Sequence, residues 1–193
     1  MPKKLVLASA SPRRAELLRA MGLTFDVAVS DAREISSGEP REIVIVNALT
    51  KARAIADEFR AARGALIIGA DTIVALDGIV FGKPADAPDA ARMLALLSGR
   101  THEVYTGVCL LDSSSGNFWR NASITRVTFA RLLQREIDRY VATGDPLDKA
   151  GAYGIQGIAR MYVESVEGNW DGVMGLPTSL VRTMLLDAGY DGW

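Results

Sequence analysis

Apolar residues along the chain form short continuous runs that alternate irregularly with stripes at helical spacing. The runs KLVLA (residues 4–8) and ALIIGA (residues 65–70) are typical of strands buried on both faces. The dipeptide Asp77-Gly78 predicts a hairpin within residues 74–80. Further strands are predicted at residues 25–29, 103–111, 118–129 and 162–166.

Helical spacing and helix-boundary residues predict several helices between these strands. Ser11 and Pro12 provide a cap and a first-turn proline, and Gly22 ends the same helix. Strands and helices do not alternate strictly, so their order predicts an α/β fold with helices flanking a mixed, twisted sheet. The length of 193 residues predicts a single domain over 1–193. The other predicted helices cover residues 42–60, 89–97, 135–142 and 177–186.

Composition and charge exclude several classes of protein. The formal net charge of −1 gives no global field toward nucleic acid or an anionic membrane, so neither is expected as a partner. Cys109 is the only cysteine and His102 the only histidine, which excludes an internal disulfide, cysteine-based zinc motifs and multi-imidazole metal sites. No apolar stretch reaches the length of a signal peptide or a membrane span, so the expected compartment is the cytoplasm.

The segment Ser9-Ala10-Ser11-Pro12-Arg13-Arg14 joins a predicted strand directly to a helix N-terminus. Backbone N–H groups and the helix dipole make such a point favourable for anions. Two arginines in the first turn oppose that dipole, and a polyphosphate would offset the cost because guanidinium groups match phosphate oxygens. From the spacing alone, a surface helix whose arginines meet solvent explains the pair equally well.

Asp71 follows six apolar residues, at the expected end of the strand at 65–70. Burying a carboxylate there is costly unless a metal or a cation accompanies it. With Mg²⁺ the side chain could hold the metal or take a proton from an attacking water. The alternative is an aspartate that caps a turn.

Two glycine-containing segments look like nucleotide motifs but do not match them. Around Lys83, the sequence GIVFGKP lacks the spacing of a P-loop, and Pro84 prevents a helix from following the lysine. The segment GAYGIQG (151–157) has the wrong spacing for a dinucleotide fingerprint, yet its glycines suit close approach of the backbone to a ligand. There Gln156 could present its amide to a base edge, and Tyr153 could pack or form a hydrogen bond.

Taken together, seven segments resemble the Maf family of nucleotide pyrophosphatases, in family order and over nearly the whole chain. This resemblance implies a mixed α/β fold with two lobes around a central groove, similar in shape to inosine triphosphate pyrophosphatases. The segments are LASASPRRAELL (7–18), LTKARAIA (49–56), IGADTIV (68–74), FGKP (81–84), LLSGRTHEVYTGV (96–108), DPLDKAGAYGIQG (145–157) and GLP (175–177).

The resemblance also implies roles for individual residues. Asp71 corresponds to the proton acceptor, and Glu34 to an acidic position near a divalent metal, Mg²⁺ or Mn²⁺. Arg13, Thr72 and Gln156 correspond to positions associated with substrate choice. The phosphate-binding positions correspond to Ser9, Arg13, Arg14, Lys51 and Lys83.

The sequence DKAGAYGIQG (148–157) resembles that of the family branch that acts on dTTP and UTP. Modified pyrimidine triphosphates are further possible substrates of this branch. The expected reaction is attack of water at the α-phosphate, giving the monophosphate and diphosphate. Arg33 stands where a second acid is expected beside Glu34, which leaves the number of carboxylates near the metal open. A homodimer is also compatible with the resemblance.

Two other functions remain open from the sequence. A nucleotide-binding regulator of cell division would use the same groove with little catalysis. A pyrophosphatase for non-canonical purine triphosphates would share the fold but not the base pocket. A nucleic-acid-binding module is disfavoured, because the charge is near neutral and no basic stripe occurs.

Overall fold

The computed structural model describes residues 3–60 and 64–193, and the seven strands in these ranges form one sheet. The strands are β1 (Lys4–Leu7), β2 (Asp26–Val27), β3 (Ala65–Leu76), β4 (Ile79–Phe81), β5 (Thr101–Asp112), β6 (Phe118–Phe129) and β7 (Val163–Glu167). Their order across the sheet is β2-β1-β3-β5-β6-β7, with β4 paired to the far end of β3.

The sheet is mixed, as predicted. Strand β1 runs parallel to β2 and β3, whereas β3, β5, β6 and β7 pair antiparallel in succession. The hairpin at Asp77-Gly78 is confirmed, and both residues have positive φ, 49° and 78°.

Helices cover both faces of the sheet. They are α1 (Pro12–Ala20), α2 (Pro40–Ala54), α3 (Ala87–Leu97), α4 (Gln134–Ala142), α5 (Trp170–Val173) and α6 (Thr178–Asp187). Short 3₁₀ turns lie at Ala56–Phe59, Asp145–Asp148, Ala150–Ala152 and Gly157–Tyr162. No helix in these described ranges combines the length and apolar character that crossing a bilayer requires.

The predicted end of the third strand at Ala70 is wrong. Strand β3 continues to Leu76 because β5 pairs with it from Leu66 through Ala75, so Asp71 lies within the strand. On its other side β3 extends past β1, whose pairing stops at Leu7 opposite Ile68. Asp71 therefore lies just beyond the carboxyl end of β1, where a sheet edge is open to a ligand.

Three further boundaries differ from the sequence prediction. Helix α2 begins at Pro40 and ends at Ala54, where the chain tightens into a 3₁₀ turn, so the helix predicted at 42–60 is too long. The strand predicted at 25–29 has only two paired residues, Asp26–Val27. The side chain of Ser11 makes no capping hydrogen bond; instead Ser9 Oγ accepts from the Ser11 N–H at 3.2 Å.

Two glycines allow α2 to lie directly on the sheet. A Cβ atom at Gly69 would be 2.1 Å from the carbonyl oxygen of Ala48, and one at Gly107 would be 2.3 Å from that of Val44. Gly107 is the cross-strand partner of Asp71. The close approach therefore places the inner face of α2 over Asp71.

The core is divided into clusters at the two ends of the long strands. One cluster packs α3 and α4 on the far ends of β3, β5 and β6, with Leu94, Leu97, Phe129 and Tyr140 fully buried. Another packs α1 and α6 on β1 and on the near ends of β3 and β5. Between these two groups of helices lies a groove.

Candidate functional site

All the site residues predicted from the sequence line this groove, which encloses a volume of 870 Å³. Segments far apart in the chain therefore meet around one cavity, as expected. The residues are Ser9, Arg13, Arg14, Glu34, Lys51, Asp71, Thr72, Lys83 and Gln156.

Asp71 is buried, with 6% of its surface exposed, and both of its carboxylate oxygens have a partner on α2. Lys51 Nζ lies 2.7 Å from Oδ1, and Asn47 Nδ2 donates to Oδ2 at 2.9 Å. Burial raises the pKa of Asp71, but the charge of Lys51 and the hydrogen bonds from Lys51 and Asn47 outweigh it, so the pKa lies below its ordinary value. The side chain is therefore ionised at neutral pH.

Lys51 joins Asp71 to a second carboxylate. Its Nζ also lies 3.0 Å from Glu34 Oε1, while only 12% of the Lys51 side chain is exposed. Glu34 belongs to an irregular segment between β2 and α2, and 48% of its side chain is exposed. Two carboxylates thus converge on one cationic group at the side of the groove.

Arg14 is held beneath the groove by neutral acceptors. Its guanidinium donates to Gly175 O at 2.9 Å, to Ser9 Oγ at 3.0 Å and to Thr72 Oγ1 at 3.3 Å. Within residues 3–60 and 64–193 no carboxylate forms an ion pair with it. Burial lowers the pKa of Arg14, and the charges of Asp71 and Glu34 oppose that shift. The site thus contains a guanidinium charge with no contacting counterion.

Thr72 belongs to the same network as Arg14. Its hydroxyl lies 3.0 Å from the hydroxyl of Thr106, which donates to Gly172 O at 2.7 Å. These contacts fix Thr72 at the floor of the groove and tie β3 to the turn around α5.

Arg13 contacts the opposite side of the groove. Its Nη1 lies 3.4 Å from Asp148 Oδ2, a contact between residues 135 positions apart. Asp148 also pairs with Lys149 at 2.6 Å. The arginine that was predicted to meet phosphate therefore has an exposed acidic partner.

Lys83 and Gln156 are exposed on the side of the groove away from α2. The N–H of Gly151 donates to Gly82 O at 3.0 Å, which brings the glycine-containing loop next to Lys83. No ion pair involves Lys83 among the described residues.

Tyr153 forms the buried base of this loop, and it both packs and forms a hydrogen bond. Its hydroxyl lies 2.8 Å from His102 Nε2, and both rings meet Phe129 edge to face. Burial lowers the pKa of His102 to about 4, so the ring is neutral. His102 therefore supports the wall of the groove and does not line it.

Sequence reasoning missed several polar residues of the groove, among them Asn47 and Asp148. A signal for Asn47 exists, because it precedes Lys51 by four positions and so shares its helix face. Asp148 carries no comparable signal. Cys109 takes no part in the groove, because it is a buried core thiol whose pKa burial raises to about 12.

Together, the fold and the cavity define an α/β protein whose groove brings five cationic and four acidic side chains of the described residues together. The sequence profile of the family described as Maf-like protein matches residues 4–188, and the chain belongs to this family.

Proteins named dTTP/UTP pyrophosphatase are similar to the chain over nearly its full length. The one from Pelotomaculum thermopropionicum is 46% identical over 191 residues, covering 98% of each chain. The one from Moorella thermoacetica is 48% identical over 192 residues, covering 98% of this chain and 97% of the relative. The one from Dictyoglomus thermophilum is 41% identical over 193 residues, covering 98% of each.

Proposed function

We propose that this protein is a nucleoside triphosphate pyrophosphatase that hydrolyses dTTP and UTP to the monophosphate and diphosphate. The observation that carries the proposal is the buried, ionised Asp71 inside a groove lined by cations from separate segments. The name shared by the similar proteins supports the choice of pyrimidine substrates.

In this reaction Asp71 accepts the proton of the water that attacks the α-phosphate. A carboxylate with a lowered pKa is ionised at neutral pH and is therefore ready to accept, although it is a weak base. The second oxygen of Asp71 is held by Asn47, which fixes the orientation of the carboxylate.

The carboxylates of Asp71 and Glu34 would hold a divalent cation, Mg²⁺ or Mn²⁺. Both carboxylates contact the ammonium group of Lys51, so two hard oxygen donors already lie around one positive charge. This arrangement supports the assignment. No cluster of three or more metal-ligating side chains occurs in the described parts of the chain, and Mg²⁺ characteristically completes its shell with substrate phosphates. A bound cation would neutralise part of the charge on the phosphates and would lower the pKa of a coordinated water.

The cations of the groove stabilise the negative charge that develops on the departing diphosphate. Arg13 and Lys83 are accessible enough to meet phosphate oxygens directly. Arg14 contributes its uncompensated charge from below and holds Ser9 in place. Lys51 exchanges part of its contact with the two carboxylates for a phosphate oxygen.

Base selection is assigned to Gln156 with Thr72 and Arg13. A glutamine amide accepts from N3–H and donates to O4 of uracil or thymine. A flipped amide would suit cytosine, so selectivity requires neighbours that fix Gln156.

A substrate panel tests the activity. Purified protein with Mg²⁺ or Mn²⁺ is incubated with dTTP, UTP, CTP, ITP or 7-methyl-GTP, and released diphosphate is measured. We expect turnover of dTTP and UTP above the others. Tight UTP binding without product would identify a binding regulator instead, and preferential ITP turnover would identify a purine enzyme.

The position of attack and the role of Asp71 are tested separately. Hydrolysis in oxygen-18 water should label the monophosphate and leave the diphosphate unlabelled. Asp71→Asn should reduce turnover by about 10³-fold, the range of a lost general base, while nucleotide binding is retained. Unchanged turnover in a folded Asp71→Asn protein contradicts the role.

Three wider expectations accompany this function: a single domain over residues 1–193, a cytoplasmic setting without nucleic acid, and the option of a homodimer. Limited proteolysis and light scattering of the full chain test the first and the last. A single resistant fragment and a mass of either 20.7 kDa or twice that value are the expected results.

A further inference from the structure

Asn47 is a buried side chain with 2% exposure that connects two parts of the groove. Its Nδ2 donates to Asp71 Oδ2 at 2.9 Å and to Ile35 O at 3.0 Å, while its Oδ1 accepts from the Ile35 N–H at 2.8 Å. The Asn47 side chain thus makes the same two hydrogen bonds with the Ile35 backbone that a residue of a neighbouring strand would make.

The orientation of the amide follows from its partners. Asp71 Oδ2 and Ile35 O can only accept hydrogen bonds at neutral pH, and both face Nδ2. A flipped amide would place Oδ1 against a carboxylate and a carbonyl and would leave the Ile35 N–H opposite a donor. A single amide therefore uses both donors and its acceptor, and no other side chain of this length provides that set.

The segment that Asn47 holds has little other support. Residues 28–39 contain no helix or strand, and among the described residues no backbone–backbone hydrogen bond reaches residues 29–38. Glu34, next to Ile35, is largely exposed and contacts Lys51. The position of the Glu34 carboxylate relative to Asp71 is thus set by Lys51 and by the Asn47 contacts with Ile35.

We infer that Asn47 is a positioning residue, which holds the Asp71 carboxylate and the Glu34 segment in a fixed mutual geometry. This rests on the roles proposed for Asp71 and Glu34. Preorganised groups stabilise charge in a transition state without rearrangement, and a displacement of about 1 Å costs about 10²-fold in rate. Asn47 acts through these two residues and touches no reacting atom.

Two substitutions separate the contacts. Asn47→Leu keeps the branched shape and the number of heavy atoms and removes all three hydrogen bonds. Asn47→Asp keeps an acceptor for the Ile35 N–H but places a second carboxylate against Asp71. We expect kcat for UTP to fall about 10²-fold in Asn47→Leu and further in Asn47→Asp, with KM changed less than about 3-fold, because the phosphate-binding cations remain.

Amide hydrogen exchange gives a readout that is independent of turnover. In the unsubstituted protein the Ile35 N–H should exchange more slowly than those of Ser36 and Ser37. Asn47→Leu should remove this protection, and Asn47→Asp should retain it. Leu49→Ala is the matched control: Leu49 lies on the same helix, is buried and does not line the cavity, so its truncation should leave both kcat and Ile35 protection unchanged.

The outcomes distinguish the inference from the function beneath it. If Asp71→Asn abolishes turnover but a folded Asn47→Leu protein keeps kcat within about 2-fold, only the positioning role is overturned. If Asp71→Asn retains turnover, the proposed function itself fails. Should Asn47→Leu not fold, equal exchange rates of Ile35, Ser36 and Ser37 in the unsubstituted protein would still overturn the inference.

Discussion

The two sides of the groove hold their polar groups in different ways. On the α2 wall, formed by Asn47, Lys51 and Asp71, the charged side chains are at most 12% exposed and each is paired. On the loop wall, formed by Lys83 and residues 148–157, Lys149 is largely buried and paired with Asp145 and Asp148, whereas Lys83 and Gln156 reach into solvent.

This difference indicates that the two walls have different roles in the site. Buried, paired groups are fixed before a ligand arrives, which suits the atoms that act on the reacting phosphate. Exposed cations and a glycine-containing loop can adjust to an incoming ligand, at the cost of ordering their side chains. Substitutions of the same kind on the two walls should therefore have unequal effects.

Removing a lysine from each wall should give the largest contrast. Lys51→Met leaves the carboxylate of Asp71 buried without its cation, so we expect about 3–5 kcal/mol loss of stability, as for other broken buried pairs. Lys83→Met should stay within about 0.5 kcal/mol of the parent protein because the side chain is exposed. Urea unfolding measures both values. Equal destabilisation by the two substitutions would contradict the contrast.

Adding one methyl group to each wall should give the next largest effect. A Cβ at Gly107 meets the backbone of α2 at 2.3 Å, so Gly107→Ala should cost about 3 kcal/mol and displace Asn47 and Lys51 from Asp71. At Gly82, which lines the groove next to Lys83, an added Cβ would meet no atom within 4 Å. Gly82→Ala is therefore the control, expected within about 0.5 kcal/mol. Thermal unfolding and diphosphate release provide the two measurements.

Acid should weaken the loop wall before the α2 wall. Burial lowers the pKa of His102 from 6.5 to about 4, so the unfolded chain binds a proton at pH values where the folded chain does not. Stability from this group is complete above 6.5 and falls toward 4, by roughly 2 kcal/mol at about pH 5. The contribution of Asp71 to stability changes in a different pH range. Because its pKa is lowered in the folded protein, that contribution is retained until the pH falls below 3.8.

Unfolding measured across this pH range tests the assignment. In His102→Gln the decline in stability above pH 4 should become shallower, and the protein should lose the His102 contact with Tyr153. An unchanged pH profile would show that another group is responsible.

Much of the fold was predictable because its signals are local. Strand β6 begins and ends where its apolar pattern does, at Phe118 and Phe129, and the Asp77-Gly78 turn requires positive φ that this dipeptide supplies. The convergence of the predicted site residues was also expected, but from the resemblance between whole motifs. No single segment carried that information.

The rest depends on contacts between distant residues. The length of β3 is set by its partner β5, so the sequence up to Ala70 could not show that Asp71 lies within the strand. In the sequence Asn47 is one polar position in a helix with many apolar residues. Its role becomes apparent only from its contacts with Asp71 and Ile35 in the folded protein. Asp148 meets Arg13 only because two separate groups of helices face each other across the groove.

That contact between Arg13 and Asp148 predicts the smallest effect. The pair is exposed, and the carboxylate competes with a triphosphate for the guanidinium while repelling its charge. Asp148→Asn should therefore lower KM for UTP by about 1.5–5-fold, equivalent to about 0.2–1 kcal/mol, with kcat nearly unchanged.

Asp138→Asn on α4 is the matched control, because it removes the same charge from an exposed position outside the groove. The difference in KM between the two variants should shrink as salt is added, since exposed charges are screened. A higher KM in Asp148→Asn would mean that the carboxylate serves the site by holding Lys149, and that the loop wall is more firmly organised than its exposure indicates.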